Sequence, residues 1–176
     1  MKKQKTIRLV LASMFLALAF VLPFLTAQIR EIGNALCPMH FPVILCGFIC
    51  GPWWGLAVGI IAPILRSAVL GMPIMFPSAI CMALELGTYG LLSGLMYRIF
   101  GKRKLGILLS LIIAMVGGRI VWGISRAVCA GLDFNNSTSF GISAFWNGAV
   151  LGAIPGITLQ LILIPLLTLL CEKLKK

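Results

Sequence analysis

Four ionisable residues interrupt the apolar runs of this sequence: Arg66, Glu85, Arg119 and Arg126. A charged group inside such a run costs several kcal/mol unless it is paired, hydrated or able to reach water, so each needs a reason to be there. Arg119, Trp122 and Arg126 follow an i, i+3, i+7 spacing and fall on one helix face. In the run before them, Cys81, Glu85 and Thr88 or Tyr89 share a face. Asn147 lies beside Trp146 near the outer end of the last run, with Gln160 deeper. Cationic groups, amides and aromatic rings converging in an apolar setting suit a pocket for a small molecule. Two readings of these residues stay open. In one, Glu85 and an arginine pair to hold two helices together. In the other, a deep arginine left over from that pair meets an anionic ligand or a water-filled cavity. His40, at the start of a helix, reads first as an interfacial residue and second as a ligand contact, and Arg30 as a solvated loop charge.

The elements that must hold these residues follow from composition. Sixty per cent of the 176 residues are hydrophobic and only 11% are charged. Soluble domains carry about 25% charge, so lipid rather than water is the solvent this chain requires. Its mean hydropathy of +1.08 agrees. The apolar runs are Ile7 to Thr26, about His40 to Gly51, Trp53 to Leu70, Pro77 to Tyr97, Leu105 to Leu132 and Phe145 to Cys171. The second is short for a span, which usually needs roughly 20 residues. Charge decides whether it counts. The clusters Lys2, Lys3, Lys5, Arg8 and Arg98, Lys102, Arg103, Lys104 should both lie inside. An even number of crossings must separate them, and a hinge at Gly51-Pro52-Trp53-Trp54-Gly55 supplies the missing pair. The expectation is an all-α membrane protein: one six-transmembrane-helix bundle over residues 1–176, with both termini cytoplasmic. Helical rise then puts Arg66 ~6 Å, Glu85 ~12 Å and Arg119 ~18 Å below the outer helix ends, with Arg126 near the mouth.

Several function classes fall away. The net charge of +11 does not point to nucleic acid, because 11 of the 15 basic residues flank apolar runs beside the bilayer surface, the third cluster being Lys173, Lys175 and Lys176. With one histidine and six cysteines mostly inside apolar runs, neither a zinc site nor a disulfide framework is expected, and no cofactor is implied. No P-loop lysine motif and no His-Glu-x-x-His cluster occurs, so neither ATP hydrolysis nor metalloproteolysis belongs to this chain and an enzyme is not expected. The Leu9–Leu25 stretch lacks a good small-residue cleavage site and reads as a retained helix rather than a signal peptide. A proton-coupled carrier using Glu85, and a non-transporting membrane scaffold, remain as rival readings.

Small residues mark where helices touch. Gly47, Gly51, Gly55 and Gly59 recur every four residues, as do Gly148, Gly152 and Gly156. Ser13 and Ala17 make a similar pair in the first run, with Ala12 and Ala19 nearby. Ordinary packing is one explanation, and an external docking face on the first helix is the other.

The order of these features resembles the substrate-binding S components of energy-coupling factor (ECF) vitamin transporters. The resemblance rests on the six runs, on Ala12-Ser13-Met14-Phe15-Leu16-Ala17, on Leu36-Cys37-Pro38-Met39-His40-Phe41-Pro42-Val43, and on Gly51-Pro52-Trp53-Trp54-Gly55 and Gly71-Met72-Pro73. It implies a multi-pass protein of a bacterial plasma membrane that binds a vitamin from outside. The partners it implies are a transmembrane coupling protein and two ATPase subunits. By the same resemblance Ala12, Ser13 and Ala17 would meet the coupling protein, although Ser13 departs from the family's preference for alanine. Segments 28–39 and 71–76 would act as lids. Glu85, Tyr89, Arg119, Trp122, Arg126, Asn147 and His40 are the candidate vitamin contacts. Pantothenate, niacin and folate fit the arginines through their carboxylates, pantothenate first.

Overall fold

The structure, a computed structural model, describes residues 2–26, 38–101, 104–132 and 154–174. They form α1 (Lys2–Thr26), α2 (His40–Cys50), α3 (Pro52–Leu70), α4 (Ile80–Phe100), α5 (Lys104–Leu132) and α6 (Ile154–Leu174). A single π-type turn over Met75–Ala79 leads into α4. No strand occurs among the described residues. Among the described residues four segments, Gln4–Phe24, Pro52–Leu70, Met75–Phe100 and Lys104–Ala130, are long and apolar enough to cross a membrane. The 11 residues of α2 rise only ~16 Å, about half the hydrocarbon thickness.

The break between α2 and α3 falls at the expected hinge. Gly51 takes φ 106°, a left-handed conformation that side chains disfavour, and Pro52 opens α3, where its missing N–H is no loss. Trp53 lies beside the hinge and is exposed.

Helix α4 is central, packing against α2, α3 and α5, while α6 packs against α2 and α5. Glycine is what lets α3 and α4 close on each other. A β-carbon added to Gly55 would lie 2.5 Å from the Gly90 carbonyl oxygen, and one added to Gly90 would run into Gly55 in return. Gly59 meets the Leu86 carbonyl in the same way, and Gly94 meets the Gly47 carbonyl and Pro52. Backbones this close gain dispersion contacts that larger residues would prevent. The four-residue spacing of Gly47, Gly55 and Gly59 is thus internal packing, while Gly51 makes the turn instead; Gly148 and Gly152 lie outside the described residues.

The outward faces are apolar, as lipid requires. Ile7, Val10, Met14, Leu18 and Val21 are exposed along α1, and Ile112, Val116, Ile120, Ile124 and Val128 along α5. On α1, Ala12 and Ala19 turn inward and are buried in the core. Ser13 and Ala17 are exposed on the other side, Ser13 donating its hydroxyl to the Leu9 carbonyl oxygen at 3.0 Å.

Candidate functional site

Three helices bring their polar residues to one carboxylate oxygen. Glu85 stands in the second turn of α4, only 2% exposed. One turn on, Tyr89 shares its face and donates its hydroxyl to Glu85 Oε1 at 3.2 Å. Arg119, midway along α5, places Nη1 3.1 Å from the same oxygen. His40, the first residue of α2, places Nε2 3.5 Å from it. The imidazole also meets the Tyr89 ring edge-to-face, with 5.1 Å between centroids.

A second glycine contact makes this convergence possible. A β-carbon on Gly118 would stand 2.7 Å from the Tyr89 ring, so only glycine leaves room for tyrosine between α4 and α5. Gly117 does the same for Leu92. The Gly117-Gly118 pair therefore admits a neighbour, and Tyr89 rather than Thr88 joins Glu85. Thr88 turns back to the Leu84 carbonyl oxygen at 2.7 Å.

The electrostatics are those of a pair inside a low dielectric. Glu85 and Arg119 offset each other, and Tyr89 adds a hydrogen bond to the ionised oxygen. The expectation of a Glu85–arginine link between two helices is met, and Arg119 is the arginine that makes it. The Tyr89 ring, 1% exposed, is enclosed in the core. Further along α5, the Arg126 guanidinium lies 5.9 Å from the centre of the Trp122 ring, a cation–π arrangement within one helix. Arg66 is similarly placed over Phe24 of α1 at 5.7 Å, with its Nε buried and lacking a hydrogen-bond partner among the described residues. Cys81 and Cys129 meet across the α4–α5 seam, Sγ to Sγ 3.6 Å.

His40, Glu85, Tyr89 and Arg119 are thus brought together, and Trp122 and Arg126 follow on the same helix as Arg119. Asn147 lies outside the described residues. The inclusion of His40 was poorly visible in the sequence, because its partner is 45 positions away. The usable signal was that both lie within the first two turns of their helices. Elsewhere, a crevice of about 340 Å³ between α1, α2 and α6 is lined by Phe15, Leu18, Leu22, Phe41, Leu159, Leu163 and other apolar residues. It offers a polar molecule no hydrogen bond. Among the described residues no group of three or more His, Cys, Asp or Glu stands close enough to hold a metal ion.

No curated protein and no solved structure matches this chain. A family model does: ECF transporter, substrate-specific component, over residues 7–171. With its long apolar helices and a match that runs nearly end to end, the chain belongs to the substrate-specific components of ECF transporters, membrane subunits that capture a small molecule for an ECF module.

Proposed function

We propose that this chain captures a carboxylate-bearing vitamin at the outer face of a bacterial plasma membrane and hands it to a coupling protein and two ATPase subunits. In this reading six helices cross the bilayer with both termini cytoplasmic, which accounts for all three basic clusters. The observation that carries it is a buried polar cluster inside apolar helices, in which His40, Tyr89 and Arg119 converge on Glu85, in a chain whose family match runs over residues 7–171. Ionisable groups are costly within lipid and mark a ligand site by default.

Arg119, Arg126 and Asn147 bind the cargo, Trp122 stacks beside it, and Glu85 with Tyr89 holds Arg119 and His40 in position. The exposed Ser13 and Ala17 provide the docking face for the coupling protein. Pantothenate is the first candidate, then niacin and folate, each of which offers a carboxylate to a guanidinium fork.

Mass spectrometry of small molecules that co-purify with the protein names the cargo. Arg126→Gln is then expected to weaken binding of that cargo by about tenfold or more, the worth of one charge-assisted hydrogen bond, with little change in thermal stability. Unchanged affinity removes Arg126 from the site.

A further inference from the structure

Two thiols meet across the α4–α5 seam, outside the Glu85 cluster. Cys81 donates its S–H to Cys129 Sγ, the sulfurs standing 3.6 Å apart. They are 48 positions apart in sequence, so the antiparallel packing of α4 on α5 is what brings them together. Cys81 is the second residue of α4 and Cys129 the fourth from the end of α5, which places both at one end of the helix pair.

The two sulfurs differ in access. Cys81 is 0% exposed, whereas Cys129 is partly exposed. Core packing accounts for a buried cysteine taken alone, because its side chain behaves as a small hydrophobe. It does not require two thiols in contact with one of them open to the surroundings. Oxidisable pairs have that form: one thiol meets the reagent while a second waits beside it to complete the bond. An S–S bond is about 2.05 Å long, so these sulfurs must approach by about 1.5 Å. Side-chain rotation near two helix ends supplies a shift of that size. Cys46 and Cys50 make the contrast. They lie on one helix, α2, and both are enclosed, so a bond between them would join no second element.

We propose that Cys81 and Cys129 form a modification site, an oxidisable dithiol that closes to a disulfide and staples the start of α4 to the end of α5. The co-reactant is a small-molecule disulfide. The Cys129 thiolate attacks one of its sulfurs, giving a mixed disulfide and releasing one thiol. Cys81 then attacks the Cys129 sulfur, and the second thiol leaves as the Cys81–Cys129 bond forms. Two electrons pass from the cysteines to the reagent, and their two protons end on the two thiols released. Glu85 follows Cys81 by four residues and Arg119 precedes Cys129 by ten, so the staple ties together the two helices that carry the ion pair. This end of the pair faces outside in the topology proposed above, the side where disulfides persist. The dithiol itself depends neither on that topology nor on the cargo.

Oxidised glutathione is charged and stays on the side of a membrane where it is added. Intact cells carrying the protein are treated with it, and peptides are then mapped by mass spectrometry without reduction. The peptides holding Cys81 and Cys129 are expected to be joined, the chain to lose about 2 Da, and dithiothreitol to restore both thiols. Cys129→Ser should abolish the link, while Cys37→Ser should leave it in place. In detergent the closed form is expected to unfold roughly 5–15 °C higher than the reduced one, since the bond constrains the unfolded chain. Two free thiols after oxidation, glutathione retained on Cys129, or Cys129 joined to Cys37 would each overturn the proposal. A link formed by membrane-permeant diamide but not by external glutathione supports the dithiol, and it is then the outward placement of this end that falls.

Discussion

Two seams run along α4, and they are built on opposite principles. Toward α3 the contact is backbone on backbone: Gly55 against Gly90 and Gly59 against Leu86, with no charge involved. Toward α5 the contact is made by side chains, with Glu85, Tyr89 and Arg119 meeting at one oxygen and His40 joining from α2. The first seam has no space for one added carbon. The second is made of polar side chains whose charges offset one another. One helix thus joins a neighbour through close-packed backbone on one side and through a buried ion pair on the other.

The contrast can be broken most severely on the charged side. Arg119→Ala leaves Glu85 buried without its cation and is expected to cost about 3–5 kcal/mol of stability, measured by denaturant unfolding in detergent or bicelles. Replacing both members, Glu85→Gln with Arg119→Met, should recover most of that loss, because a buried pair exchanged for neutral residues is often nearly neutral. Failure to recover would mean that the pair is needed for packing rather than for charge.

On the glycine side Gly90→Val should cost about 1–3 kcal/mol by forcing α3 away from α4. Gly71 is the control: it takes a left-handed φ of 69° with nothing within 4 Å of an added β-carbon. Gly71→Ala should therefore lose only the roughly 1–2 kcal/mol of left-handed backbone strain. Equal losses for Gly90→Val and Gly71→Ala would show that the seam has slack.

A subtler probe is Tyr89→Phe, which keeps the ring between α4 and α5 and removes only the hydroxyl from Glu85. A cost of about 1.5–3 kcal/mol is expected for a hydrogen bond to a charged group. The smallest stability change, within about 0.5 kcal/mol, belongs to Ala17→Trp on the exposed face of α1. That variant should retain cargo binding yet fail in transport once assembled with the ECF module. Transport at the wild-type rate would remove α1 as the docking face.

Much of this could be read from residue order. The hinge at Gly51-Pro52 was legible because proline opens a helix and a glycine before it can take positive φ. The glycines at Gly55 and Gly59 announced a close helix contact through their four-residue period, and Glu85 announced a need for a partner through its cost in lipid. The face of α1 was less legible. Ala12 and Ser13 are adjacent small residues, yet Ala12 is buried against the bundle and Ser13 is exposed. Spacing says which residues share a side of a helix but not which side meets a neighbour.

By itself, then, the order of residues determined the solvent, the helices, their breaks and the few side chains that lipid would not tolerate without compensation. Those are local matters of hydropathy, backbone preference and desolvation. Only the tertiary structure decided that Arg119, rather than Arg66 or Arg126, meets Glu85, that Tyr89 supplies the third bond through the gap left by Gly118, and that His40 closes the group from 45 residues away. Partner choice across helices depends on their rotation and depth, and those are fixed jointly by every contact in the bundle.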